Sequence, residues 1–594
     1  MHSKSFYKNK FCSMLITGTF TMAVTYIMLL SDNIIAGLFF GESGVSAVNL
    51  VTPVTGMVTF LSCIVSEGSG ILYSRCIGQM DREGADKIYG QGMPVSLFLA
   101  CFSVVFLYVF KGLYFELSGT GGKAREYAMI YYRLTPLNAA LTVMIQYLSN
   151  MVYTDGDEVV TNISYGLQIG GNIVLSIFFC SRFGMIGVIL GTVMGNVLGI
   201  LVLAGHFFSK RNTLRFVFHF KWGDLWQVMR FSAVDSCIYI CWGGVDYVLI
   251  HHVSRCYGEK ALVILAVVIS LIEFGVVLDG IGMAIQPLIG MYLGEKNHTS
   301  IKRLMKSAIK TAVLEGIFAT VLIFLSADHF VRLFGIKDAG IVPVAVFAVR
   351  IVCLSLTFCS LVSLATSYYM LVDHISLAVG ITIFKDGVLY SVLPVLFSVW
   401  LGETGIWIGF SVSAFAALVL AFLYIFFRYG RNEFPWLIEN TDERVFVLED
   451  ELTKETAVKI SEQAAKLLAG KGFCKKSVMW ASLFTEEISL VVLEQNASGK
   501  QKLLIEISLL FDENAVRLIE RDSGQIFDVT DPELQVKGLS SFIIEGLMEA
   551  YKEKAYLTTT GYNRNIMWFP ASEEEIFEEV SFRRKERAEA EGNI

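Results

Sequence analysis

Charge is what this chain has least of. Only 17% of its 594 residues are Asp, Glu, Lys or Arg, while 54% are hydrophobic. A soluble protein carries about a quarter charged residues, so the chain as a whole is not an ordinary soluble protein but a polytopic membrane protein. Residues Phe11 to Leu30 hold no charge at all, and roughly twenty such residues cross the hydrocarbon of a bilayer as a helix. Lys4, Lys8 and Lys10 before that run imitate a secretory signal, but the run is too long and has no small-residue cleavage site, so it reads as the first membrane helix. The eleven cysteines have no metal-ligand spacing. Cys63, Cys101, Cys237, Cys241, Cys353 and Cys359 sit inside apolar runs as packing residues, with no disulfide framework and no metal expected. The net charge of -7 comes largely from the C-terminal part and argues against a nucleic-acid partner.

Apolar runs recur at roughly residues 11–40, 45–72, 93–117, 127–152, 160–181, 184–208, 228–254, 261–292, 307–327, 341–371, 375–400 and 404–428. Twelve helices put both ends on one side, and the basic loops choose it. Arg75, Arg82 and Lys87 follow the second run, Lys210, Arg211, Arg215 and Lys221 the sixth, Lys302, Arg303, Lys306 and Lys310 the eighth, and Arg428 and Arg431 the twelfth. Positive loops stay inside, which predicts a multi-pass protein of the cytoplasmic membrane, embedded in lipid, with both termini cytoplasmic. TDGDE at 154–158 breaks the pattern with three acids and finds no explanation in the sequence.

The first six runs and the second six read as copies at an offset of about 217. Gly41-Glu42 recurs as Gly258-Glu259, Gly184, Gly187 and Gly191 recur 218 residues on in LGETGIWIG, and Gly78 is matched by Gly294. Six helices per copy give parallel repeats, one of the ways transporters are built, with access alternating as one lobe rocks against the other. One acid stands out in this frame. Asp32 lies at the inner end of the first run, where a carboxylate costs about 2.5 to 3.5 kcal/mol to insert and marks an ion, proton or substrate site. The offset brings Asp246 within a few residues of its equivalent, so each lobe is expected to carry an acid on its first helix.

The stretches Asp32 to Pro53, SRCIGQMDREGADK (74–87), NIVLSIFFCSRFGMIGVILGT (172–192) and GIGMAIQPLIGMYLGEKN (280–297) resemble the multidrug and toxic compound extrusion (MATE) transporters over roughly residues 10–430. The resemblance implies an all-α membrane fold of twelve helices in two six-helix lobes, about 10–208 and 225–430, within a transporter unit spanning 1–434. It also implies export of bulky organic cations driven by protons or sodium. The family's ion site falls on Asp32 and Asn172. Ser176 stands where many members carry a further acid or amide. In the second lobe Asp246, Glu273 and Asp279 are the candidates, Glu273 having no basic residue within twelve positions on either side. Tyr26, Trp242, Tyr247, Tyr368, Tyr369 and Trp407 are candidate cavity aromatics for a flat cation.

From about Thr441 the composition becomes that of a soluble α/β domain, two-layer α+β in kind, over 441–572, followed by a charged tail, 573–594. Helical periodicity runs over 453–471, 477–495 and 538–551, strands over 501–511 and 514–524, and a last hairpin over AYLTTTGYNRNIMWF. That order resembles the GHKL ATP-binding domain, closest to anti-sigma-factor kinases, with Glu486, Glu487, Asp522, Gly524 and Gly538 at matching positions. The magnesium asparagine of that family is replaced by Leu490 or Val491, which cannot ligate a hard cation. Kinase activity and ATP as cofactor are therefore not expected, and no catalytic residue is assigned. A regulatory module, with a cytosolic protein as its possible partner, is.

Three functions compete: an antiporter, a transporter-fold sensor that signals substrate occupancy through residues 441–594, and, weakest, an ATP-dependent enzyme.

Overall fold

The computed structural model describes residues 5–117, 122–209, 212–334, 338, 340–440, 443–497, 502–528, 543, 554–556 and 561–572. Gly538, the predicted helix at 538–551 and the charged tail lie outside these, apart from residue 543. Twelve long helices form the membrane part: α1 (Phe6–Gly41), α2 (Ser43–Gly78), α3 (Arg82–Leu117), α4 (Thr135–Thr154), α5 (Glu158–Phe183), α6 (Ile186–His206), α7 (Ala233–Cys256), α8 (Lys260–Gly294), α9 (His298–Leu333), α10 (Val342–Leu371), α11 (Ile375–Leu401) and α12 (Glu403–Tyr429). Among the described residues, eleven of these are long and apolar enough to span a bilayer by themselves. The twelfth, α4, carries Asn138, Gln146 and Asn150 and falls short on hydropathy. Short helices, Gly122–Tyr131 and Trp222–Phe231, precede α4 and α7.

The turns give the repeat a backbone signature. Gly41, Met80, Gly156 and Gly184 have φ of 63°, 62°, 96° and 69°, and 216 to 218 residues later Gly258, Lys296, Asp373 and Gly402 have 80°, 62°, 69° and 66°. Positive φ is uncommon outside glycine, so four pairs at one offset mark two copies of one chain path. The caps repeat as well. Asp81 accepts from the backbone N–H of Gly84 at 2.8 Å and Asn297 from that of Ser300 at 3.0 Å, satisfying first-turn donors that a helix leaves open.

Packing shows how the two lobes sit. At the end where α2 and α8 finish, one core runs through both lobes, from Phe11, Ile71 and Met151 to Ile285, Met291 and Leu371. At the other end it divides in two. Ile35, Val51, Tyr131 and Val188 belong to a core in the first lobe alone, and Leu249, Val268, Val349 and Trp407 to one in the second. The lobes thus close on each other at one end and part at the other.

The C-terminal domain sits at the closed end. Strands β1 (Val445–Glu451), β2 (Leu504–Phe511), β3 (Ala515–Asp522), β4 (Lys554–Tyr556) and β5 (Asn563–Pro570) form one antiparallel sheet in the order β1-β2-β3-β5-β4. Side chains alternate faces along a strand. Ile507, Leu518 and Met567 pack on helices α13 (Lys454–Gly470) and α14 (Lys475–Gln495). Val445, Leu510, Ile519 and Ile566 look the other way, against Met80 of the membrane part.

Candidate functional site

Asp32 lies in the open half of α1 and is 8% exposed. Among the described residues, every hydrogen-bond partner of its carboxylate is neutral. The Tyr131 hydroxyl donates to Oδ2 at 2.6 Å, Thr192 to Oδ1 at 3.0 Å and the Asn172 amide to Oδ1 at 3.4 Å. Asn172 also donates to Thr192 at 2.7 Å, while Ser31 donates to Asn172 Oδ1 at 3.1 Å. The expected pair, Asp32 and Asn172, therefore meets. Tyr131 and Thr192 were missed, although Thr192 with Asn196 forms a polar i,i+4 pair on an otherwise apolar helix, which was a readable signal.

Ser176 does not join them. Its hydroxyl donates to the Val188 carbonyl at 2.9 Å, and a Cβ at Gly191 would lie 2.0 Å from the Ser176 Oγ. The position is a close helix crossing, and 218 residues later Pro394 packs on Gly409 in the same way. The expected second acid fares similarly. The equivalents of Asp32, Asn172 and Thr192 at offsets of 217 and 218 are Leu249, Tyr390 and Phe410, all inside the second lobe's core, with Tyr390 and Phe410 ring centroids 5.8 Å apart. Asp246 lies one turn from Leu249 and is half-buried, within electrostatic reach of Glu273.

Carboxylates instead gather where the lobes meet. Glu67 on α2 accepts from Asn150 at 3.3 Å and Gln146 at 3.5 Å. Asp235 at the start of α7 lies within electrostatic reach of Glu67 and Asp279, and Glu315 within reach of Asp279. Asp279 accepts from Ser363 at 2.5 Å and faces a pocket lined by Trp242, Cys359, Lys385 and Tyr390, with Lys385 paired to Asp386 at 2.9 Å. Glu67, Asp235 and Glu315 were not singled out from the sequence, because single acids in separate helices converge only through packing.

The aromatic expectations divide. Tyr26 donates to the Ser270 carbonyl at 3.0 Å and packs on Phe274, joining α1 to α8, and Trp242 lines the pocket. Tyr247 is 73% exposed and stacks on His251. Tyr368 and Tyr369 are corrected to packing residues, since both are buried with their hydroxyls on the carbonyls of Trp436 and Pro435 after α12. Trp407 is also a core residue, with no exposed surface.

TDGDE now has its explanation. The His206 ring lies between Asp155 and Asp157, 2.9 Å from each, and Lys10 pairs with Glu158. In the C-terminal domain Asp522 accepts from the Gly524 N–H at 2.7 Å and from Asn563 at 3.1 Å. Burial pushes its carboxyl up to about 6. Glu486 accepts from Ser461 at 3.3 Å, Glu487 is half-buried, and Val491 is core.

A MatE family profile matches residues 19–178 and 232–392, more than half of the chain and one segment in each six-helix half. The chain belongs to the MatE family. Solved structures with the same MatE fold include an outward-facing multidrug resistance MATE transporter of the MOP superfamily, 23% identical with a TM-score of 0.67, covering 72% of this chain and 96% of that one. A MATE protein in complex with MaL6 is 23% identical with a TM-score of 0.67 over 72% and 97% of the chains. A MOP superfamily transporter from Pyrococcus furiosus, described as having a binding pocket of reverse polarity, is 23% identical with a TM-score of 0.65 over 72% and 96%. At this identity they establish the fold alone. No curated protein matches the chain. The MatE profile ends before the C-terminal sheet.

Proposed function

We propose that the chain is a secondary antiporter of the cytoplasmic membrane, with both termini inside, exporting organic cations in exchange for protons or sodium. One observation carries this reading: a buried carboxylate in the open half of the first lobe has only neutral donors. Such a group is costly in a membrane unless it binds a cation in the working cycle. Tyr131, Asn172 and Thr192 come from three elements and are drawn together by the charge on Asp32. A proton or sodium ion arriving there weakens that pull, so the ion favours one arrangement of the lobe, as coupling requires. One charge moving down 100 mV releases about 2.3 kcal/mol, which sustains roughly a fortyfold gradient at 1.4 kcal/mol per decade. Glu67, Asp235, Asp279 and Glu315 give the place where the lobes meet a negative potential suited to a cationic substrate.

The C-terminal domain is the regulatory unit of this transporter. Its contact with both lobes also favours a second reading, in which it reports lobe position to a cytosolic partner. Flux into liposomes tests the choice. A fluorescent organic cation should move under an imposed proton or sodium gradient with wild type and stop with Asp32→Asn. Flux that survives Asp32→Asn rejects the coupling role, and no flux with folded wild type under either gradient favours the sensor.

A further inference from the structure

Three charged residues stand side by side on the sheet face turned to the membrane helices. Glu506 on β2 is in register with Arg521 on β3, and Arg521 with Arg564 on β5. They meet Glu295, the residue that follows α8. Arg564 pairs with Glu295 at 2.8 Å, and Arg521 pairs with Glu295 and, at 2.5 Å, with Glu506. Arg564 also donates to the carbonyls of Ile77 and Gly78, both at 2.7 Å, at the end of α2. All four side chains are almost completely buried. The last carbonyls of a helix are unpaired and carry its negative dipole end, so a guanidinium there is well placed.

The topology gives this cluster its meaning. α2 belongs to the first lobe and α8 to the second, and Gly78 and Gly294 are each other's repeat partners. They also touch across the lobes: a Cβ at Gly294 would lie 2.5 Å from the Arg75 carbonyl oxygen and 2.9 Å from the Gly78 carbonyl carbon. One guanidinium therefore spans the contact that shuts this end of the molecule. The grip extends to α1, where Ser5 and the Phe6 N–H donate to Glu449 of β1 at 2.9 and 3.0 Å and Lys10 lies over the Tyr562 ring.

We propose that the C-terminal domain is a latch that holds the two lobes together at its own end, so that the crevice opens there only after Arg564 leaves Ile77, Gly78 and Glu295. This rests on the alternating-access reading above and extends it: the domain sets which side the transporter faces. The charges suit a releasable contact. A buried pair loses little when both partners return to water, but losing one partner leaves the other charge buried and drives the surfaces apart.

Hydrogen–deuterium exchange of the full chain, for wild type, Glu295→Gln and Arg564→Gln, tests this. Peptides covering 71–80 and 286–297 should take up deuterium about tenfold faster in both variants, since removing one partner of a buried pair is strongly unfavourable to the latched state. Peptides from the domain core at 484–492 and the far-end core at 245–253 should not change. Arg564→Lys, which keeps the charge without the fork, should fall between. Equal uptake in wild type and both variants overturns the proposal. Loosening that spreads to 484–492 also overturns it, because the arginines would then hold the domain's own fold. The measurement uses neither substrate nor gradient, so it stands or falls separately from the antiport reading.

Discussion

Gly78→Ala tests the closed end directly. A methyl at Gly78 would lie 2.3 Å from the Met291 carbonyl oxygen and 3.0 Å from the Met291 Cα, and ordinary contact begins near 3.4 Å. Both obstacles are backbone, so no side chain can rotate away. α2 and α8 must separate by about 1 Å, the difference between those distances. Overpacking of this kind costs about 1 to 3 kcal/mol. That cost falls only on the state in which the lobes are closed here. If the protein alternates, the balance moves toward the state open at the domain end by about 5- to 150-fold, at 1.4 kcal/mol per decade. Exchange at 286–297 should therefore rise in Gly78→Ala, and equally in Gly294→Ala, whose methyl meets the backbone of residues 75 to 79. Gly56→Ala is the control, with no atom within 4 Å of the added carbon. If Gly78→Ala exchanges like Gly56→Ala, the contact between α2 and α8 is not a gate.

The proposed ion site separates Thr192 from Ser176. Thr192→Val removes a donor that stabilises the charged form of Asp32, so a coupling proton should bind about tenfold more tightly, a typical value for a hydrogen bond to a charged group, while Ser176→Ala should leave the apparent affinity unchanged in the same flux titration. His206→Ala removes the ring that lies between the buried carboxylates of Asp155 and Asp157 and should destabilise the membrane part by about 3 kcal/mol, seen as a fall of the melting temperature in detergent. The carboxyl of Asp522, pushed by burial from 3.8 up to about 6, keeps a proton in the folded domain between those values that the unfolded chain has lost. Stability therefore falls as pH rises through that window, and Asp522→Asn should flatten this fall and raise the melting temperature at pH 7.5.

What the sequence reveals here depends on the range of the interaction. Helices show in runs of about twenty apolar residues, and the repeat shows in glycines, because a left-handed turn or a close helix crossing tolerates little else. Asp32 was readable since a lone acid at the end of an apolar run is conspicuous, whereas Asn172 came from the family resemblance. α4 was harder, its polar residues being turned inward to Glu67 and its neighbours. Ser176 misled because the residue type suits a ligand while Gly191 across the crossing leaves it room only to pack. Strand β1 was missed altogether: Val445 to Glu451 alternates too weakly next to the linker to be recognised without its partner, β2. The latch was beyond reach, since Glu295 and Arg564 are far apart in the chain and each, taken alone, reads as a surface charge.

The two lobes share a chain path but not a chemistry. At matched positions the first lobe holds Asp32, Asn172 and Thr192, where the second holds Leu249, Tyr390 and Phe410. Apolar packing of that kind cannot change its affinity for an ion, so the second lobe offers a rigid wall at this level and the first a polar cluster that responds to charge. On the antiport reading proposed above, coupling is therefore one-sided, and the second lobe must follow through contacts between the lobes. Those contacts run from Gly18 against Gly280, through Gly290 against Ser74, to Gly78 against Met291, and they end beneath Arg564. A device that regulates such a molecule gains most leverage at the last of these, farthest from Asp32, where a small separation of α2 from α8 opens the whole seam. The C-terminal domain is docked there.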